Sequence, residues 1–191
     1  MRIVSGTFRG RKFQLPTNLK ARPTTDFAKE NLFNVLANHI DFEDLVVLDL
    51  FSGTGSISFE FLSRGAKQVT CVEQYAPHVK FIKEVAEKLK VDNLTVITGD
   101  AYRFIKSSIG KFDLIFTDAP YADERLGTLP DLILKSTLLA KEGLLIVEHS
   151  KTNEFSSHPS YKETREYGSV NFSFFKALEP EVKEADQTDD K

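Results

Sequence analysis

The sequence predicts an α/β domain in which a mostly parallel seven-stranded sheet carries helices on both faces and closes with an antiparallel strand pair. Three observations predict it. Short, nearly continuous apolar runs alternate with longer segments of helical period, as in a parallel sheet crossed by helices. The first of these runs leads through a glycine-containing turn into a helical segment. The last two runs are separated only by Gly168 and Ser169, room for a tight turn and not for a crossover.

The elements follow in chain order. Arg2 to Ser5 and Thr7 to Leu15 read as a small hairpin. After Pro23 a helix is expected from about Thr25 to Asn38, with Phe27, Leu32, Val35 and Leu36 as its apolar stripe. Strands are expected at Leu45 to Leu50, Gln68 to Glu73, Leu94 to Ile97, Phe112 to Thr117 and Leu144 to Glu148. Each is short and apolar almost throughout, as a strand buried on both faces must be. The clearest helix is Pro77 to Lys90, where Val79, Ile82, Val85, Ala86 and Leu89 recur at spacings of three and four and Pro77 suits the first turn. Tyr161 to Tyr167 and Val170 to Ala177 form the closing pair; alternation puts Phe172 and Phe174 on one face and Phe175 on the other.

Length and charge bound the rest. At 191 residues the chain can bury about 70% of the surface its unfolded form exposes, enough for a core without staples. A single cysteine, Cys71, excludes an internal disulfide, and the histidines at 39, 78, 149 and 158 lack metal-ligand spacing. No apolar stretch approaches the ~20 residues that cross a bilayer, and the N-terminus has no signal-type apolar region, so a cytoplasmic protein without metal or membrane partners is expected, as a monomer. The net charge of −3 hides an asymmetry. Residues 1 to 25 hold Arg2, Arg9, Arg11, Lys12, Lys20 and Arg22 and no acid, whereas six acids face two lysines after Leu178. Three regions are therefore expected: a basic extension of hairpin and helix (1–40), a core (41–178) and an acidic, disordered tail (179–191). On charge alone the arm is equally a solvated face or a site for a negatively charged partner.

The most informative stretch is Asp49-Leu-Phe-Ser-Gly-Thr-Gly-Ser56, which leaves the first strand and enters a helix. Gly53 and Gly55 have no Cβ to hold a ligand away from the backbone, and the following helix offers unpaired N–H groups. Glu73 ends the next strand, where an acid can take both hydroxyls of a ribose. The third glycine of the dinucleotide fingerprint is missing, since position 58 is serine, and the carboxylate of Asp49 suits an ammonium group better than a pyrophosphate. NAD and a purely structural turn are the alternatives. The loop resembles the first motif of class I methyltransferases, which implies S-adenosylmethionine held by Asp49, Phe51, Ser52, Gly53, Thr54, Gly55 and Glu73. Asp100 and Ala101 fit the same scheme as an adenine contact; by itself Asp100 reads as a helix N-cap.

Asp118-Ala119-Pro120-Tyr121 follows the fourth strand, at the carboxyl edge where open α/β sheets place their sites. The amine of a nucleobase is a poor nucleophile because its lone pair is delocalised into the ring. A site that methylates it must accept its N–H protons, one at Asp118 and one at a loop carbonyl such as that of Ala119. Pro120 stiffens the loop and Tyr121 offers the base a flat face. Asp118 also borders the cofactor. A strand-ending turn is the bland alternative for this tetrapeptide.

Taken together, the chain resembles the RsmD-type methyltransferases, which act on N2 of a guanine in small-subunit (16S) ribosomal RNA. The resemblance covers about residues 1 to 177. It rests on the opening Arg2 to Lys12, Arg22-Pro-Thr-Thr-Asp26 with Glu30 to Phe33, the Asp49 to Gly55 loop, Ser63-Arg-Gly-Ala66 and Asp118 to Tyr121. Ala119 departs from the usual Asp-Pro-Pro-Tyr, and the acidic tail has no counterpart. The resemblance gives the arm a role, with Arg9, Arg11, Lys12 and Arg22 on RNA phosphates. Thr24 and Thr25 line the base pocket or cap the helix that follows. Methylation of another amine, such as adenine N6 of DNA or RNA, and a catalytically weak RNA-binding assembly factor are the competing readings.

Overall fold

The computed structural model describes residues 1–16 and 25–177; Arg22, Thr24 and the acidic tail lie outside them. Seven strands form one sheet: β1 (Val46–Leu50), β2 (Gln68–Glu73), β3 (Leu94–Thr98), β4 (Phe112–Thr117), β5 (Leu139–His149), β6 (Tyr161–Tyr167) and β7 (Val170–Lys176). Their spatial order is β3-β2-β1-β4-β5-β7-β6. The first five strands pair in parallel, and β7 enters antiparallel between β5 and β6. The expected sheet with its closing pair is therefore present. No helix among the described residues is long and apolar enough to cross a membrane.

Two apolar clusters cover the two faces of the sheet. One holds Ile3, Phe33, Phe61, Ile82, Phe116, Ile146, Phe172 and Phe174; the other holds Leu48, Tyr102, Ile115, Leu129, Leu145 and Phe175. The aromatic alternation of β7 falls on the two faces as expected. Helices α1 (Asp26–Ala37), α2 (Ser56–Ser63) and α3 (Ala76–Leu89) supply the first cluster, α4 (Ala101–Ser107) and α5 (Leu129–Leu134) the second. Helix α3 carries its apolar stripe inward and its lysines outward, with Pro77 in the first turn and Lys90 closing it in a left-handed conformation.

Three expectations need correction. The N-terminal hairpin is present but is less regular than two full strands: an antiparallel bridge between Arg2 and Lys12 and backbone bonds from Ile3 to Arg11, Gly10 to Ile3 and Phe13 to Met1 join its arms, with Gly6 and Gly10 turning at positive φ. Backbone and side-chain bonds anchor it on α2, the Thr7 N–H donating to the Ser63 carbonyl at 2.7 Å. Phe8 donates its N–H to Ser63 Oγ, and Val4 donates to Glu60. Second, Phe27 is not in the buried stripe of α1. It is 65% exposed with its ring edge on Tyr167, while Lys29 is 1% exposed and pairs with Glu60 at 3.3 Å. A buried acid on α2 thus rotates the inward face of α1 to Ala28, Lys29, Leu32, Phe33 and Leu36. Third, β5 begins at Leu139, five residues before its expected start, and is irregular opposite Phe112 and Leu114.

Candidate active site

The order of the sheet reverses between β1 and β4, and at the carboxyl ends of those strands lies a cleft of about 500 Å³. That is the switch point where open α/β sheets bind ligands, and the volume suits a small-molecule cofactor. Phe51 and Gly53 from the loop after β1, Glu73 after β2, Ala101 at the start of α4, and Asp118 to Tyr121 after β4 all line it. Segments up to 70 residues apart in the chain meet there because each follows a strand of one parallel layer.

The glycine loop is built for close approach. Phe51 sits at φ 58°, Gly53 at 53° and Gly55 at 73°. A Cβ on Gly53 would meet nothing nearer than 4.0 Å, so its missing side chain opens the cleft itself. A Cβ on Gly55 would lie 3.1 Å from Ile82 and from Phe59, so this glycine serves helix packing. Glu73 is 8% exposed; its Oε2 accepts the Gly53 N–H at 2.8 Å and its Oε1 the Tyr75 N–H at 2.7 Å. One carboxylate therefore fixes the loop and the turn after β2 while facing the cleft.

Other expected residues stand behind this surface. Asp49 does not line the cleft: it is 1% exposed and accepts from Ser58 Oγ at 2.6 Å and Ser58 N–H at 3.2 Å. Burial pushes its carboxyl up to about 7, against the pull of the two Ser58 bonds. Asp49 thereby braces β1 against the first turn of α2. Ser52 and Thr54 also lie off the cleft wall, Ser52 donating its hydroxyl to the Asp49 carbonyl at 2.7 Å. Asp100 accepts the Arg103 N–H at 2.8 Å, the N-cap geometry, and does not line the cleft. Thr25 caps α1, its Oγ1 accepting the Ala28 N–H at 3.2 Å, and it also lines the cleft.

The tetrapeptide is held from behind. The Asp118 N–H donates to the Leu50 carbonyl at 3.3 Å, tying the loop to β1, and Ala119 is 1% exposed within the second cluster. The buried methyl packs where proline usually stands, and Pro120 accepts the Asp123 N–H at 2.8 Å to close the turn. Arg9, Arg11 and Lys12 are exposed, with the Arg11 guanidinium 5.6 Å from the Phe8 ring.

Sequence reading missed two cleft residues of chemical interest. His78, from the first turn of α3, has both ring nitrogens buried without a hydrogen bond, Nδ1 lying 3.8 Å from Glu73. Glu148, near the end of β5, is 4% exposed and accepts the Tyr121 hydroxyl at 3.2 Å. Their only sequence signal was a polar residue at an element end, which is common on any surface.

The cleft suits a nucleoside carrying a charged amino-acid end. It sets the Glu73 carboxylate, a group able to accept from hydroxyls, beside a side-chain-free backbone at Gly53 and buried, unsatisfied imidazole nitrogens. Fold and cleft together define a class I methyltransferase, whose methyl donor is S-adenosylmethionine. A family model described as conserved hypothetical protein 95 matches residues 1–176. The chain belongs to that family, the RsmD-type methyltransferases. It is 35% identical to the ribosomal RNA small subunit methyltransferase D of Escherichia coli, over 84% of this chain and 80% of that one. To the enzyme of the same name from Haemophilus influenzae it is 34% identical, over 79% of each. The solved structure of the Escherichia coli yhhF protein has a TM-score of 0.81 at 29% identity, covering 93% of this chain and 97% of the other.

Proposed function

We propose that this protein transfers a methyl group from S-adenosylmethionine to the exocyclic N2 amine of one guanine in small-subunit ribosomal RNA. The observation that carries the reading is the meeting, in one cleft, of the Gly53–Glu73 half and the Asp118–Tyr121 half. The names of the relatives support ribosomal RNA as the substrate.

The chemistry asks little of the protein beyond orientation. A bound sulfonium supplies an activated methyl group and leaves as a neutral thioether. Glu73 would take the ribose hydroxyls, and Gly53 would admit the amino-acid end against the backbone. Asp118 accepts one N–H of the amine and a loop carbonyl accepts the other, which turns the nitrogen lone pair toward the methyl carbon. Tyr121 stacks on the base, and the proton shed by the methylated amine passes to Asp118 or to water. The base enters unpaired or flipped, while the exposed Arg9, Arg11 and Lys12 hold backbone phosphates.

Radiolabelled S-adenosylmethionine offered with naked small-subunit RNA, with assembled small subunits and with plasmid DNA tests this. Label in N2-methylguanine of RNA or subunits is expected, and the two RNA samples show which assembly state is accepted. Label in N6-methyladenine, or RNA binding without turnover, would overturn the reading. Asp118→Ala is expected to bind cofactor normally and to transfer no methyl group; retained turnover would refute the mechanism.

A further inference from the structure

Besides Glu73 and Asp118, the cleft contains a third carboxylate, Glu148, that the mechanism above leaves unused. In the register of β4 against β5, Thr117 lies beside Val147, so the residues that follow, Asp118 and Glu148, leave neighbouring strands at the same level. Glu148 pairs with Phe172 across β7, and two residues before it Ile146 lies in the cluster beneath α1. Side-chain alternation therefore sends Glu148 to the α1 side of the sheet, where Thr25 and Val170 complete the cleft wall. It is 4% exposed, and the Tyr121 hydroxyl donates to its Oε1 at 3.2 Å. Asp118 and Glu148 thus present two carboxylates to the space beside Tyr121.

We propose that Glu148 selects guanine by accepting the N1–H of the base whose N2 amine faces Asp118. This inference rests on the guanine reading above and supplies its specificity. Among the common bases with an exocyclic amine, guanine alone carries a ring N–H next to it. Adenine has a lone pair at N1, and cytosine has one at N3. A buried carboxylate attracts the first arrangement and repels the other two, because a lone pair facing it leaves both acceptors unsatisfied. Two carboxylates from adjacent strands therefore match two adjacent donors, N1–H and N2–H. A carboxylate accepts up to about four hydrogen bonds, so the Tyr121 hydroxyl and the base share Glu148, and the tyrosine fixes its rotamer.

The test uses the full-length protein and small-subunit RNA whose target position carries guanine, 2-aminopurine or N1-methylguanine. 2-Aminopurine keeps the amine and has a lone pair at N1; N1-methylguanine keeps the 6-oxo group and blocks N1. The wild type is expected to discriminate against both by roughly a hundredfold or more in kcat/KM. Glu148→Gln is expected to narrow the guanine to 2-aminopurine ratio at least tenfold, because its amide donates to N1, with the affinity for S-adenosylmethionine unchanged. Equal ratios in wild type and variant would overturn the proposal, as would wild-type turnover of either analogue at the rate of guanine. Both outcomes are read on guanine-methylating enzyme. Failure of the parent reading shows separately, as N6-methyladenine or no product with the wild type. If Glu148→Gln does not fold, Glu148→Ala is read by the same ratio, and wild-type turnover of either analogue at the rate of guanine still overturns the proposal.

Discussion

Asp49→Asn isolates the energetic role of the carboxylate behind the glycine loop. The side chain is 1% exposed, and burial carries its pKa from an ordinary 3.8 to about 7, with Glu73 and Glu148 adding a smaller push in the same direction. For an acid raised on folding, the native protein keeps a proton that the unfolded chain has already released. Stability therefore falls as pH rises from about 4 to about 7, and the full penalty is present above 7. At ~1.4 kcal/mol per pH unit between the two values, the penalty is of order 4 kcal/mol. Asparagine keeps an oxygen to accept from Ser58 and has no charge to desolvate, although its amide hydrogens need partners at a cost of roughly 1–3 kcal/mol. The informative quantity is thus the change of the stability difference with pH. Guanidinium unfolding of both proteins between pH 4.5 and 8.5 measures it. The variant is expected to gain on the wild type by several kcal/mol across pH 4–7 and to hold a constant difference above. A difference independent of pH, or one that shrinks as pH rises, would refute the assignment of Asp49 as a buried brace.

Four further outcomes are expected. Glu73→Ala removes the acceptor of two loop N–H groups and the ribose contact, so calorimetry should show S-adenosylmethionine affinity lowered by roughly a hundredfold. Glu60→Leu leaves Lys29 buried beside a neutral side chain; the unfolding free energy should drop by about 3–5 kcal/mol, and adding Lys29→Met should restore most of it. Gly6→Ala forces a Cβ to 1.8 Å from the Ser63 carbonyl at φ 79°, so Tm should fall by roughly 5 °C or more as the arm detaches from α2. Replacing Arg9, Arg11 and Lys12 together by alanine should lower RNA affinity and reduce the magnitude of its log–log salt slope by about 2, with cofactor affinity unchanged.

Much of this site was legible in the chain because its residues obey local rules. Glu73 and Asp118 follow apolar runs that can only be interior strands, and strand ends of a parallel sheet share one edge. The motif from Asp49 to Gly55 was legible as a loop, yet its members divide. Phe51 and Gly53 face the cleft, whereas Asp49, Ser52 and Gly55 face the protein. Asp49 belongs to β1, whereas the chain turns at positive φ at Phe51 and Gly53 just beyond it, so the turn and not the strand period separates a ligand contact from a buried brace, and the spacing of a motif does not say which is which.

Sequence pattern alone carries the central strands apart from the start of β5, the amphipathic α3, the split of Phe172 and Phe174 from Phe175, and the carboxyl edge of the sheet. Those features depend on the period of apolar residues and on turn chemistry, both of which act over a few residues. That Phe27 faces solvent while Lys29 is buried follows from packing in three dimensions, because the partner of Lys29 is Glu60, 31 residues away on α2. Only the tertiary structure brought His78 and Glu148 into the cleft. Their positions follow from the packing of α3 and the register of β5 against β4 and β7, which are long-range pairings that no local pattern encodes.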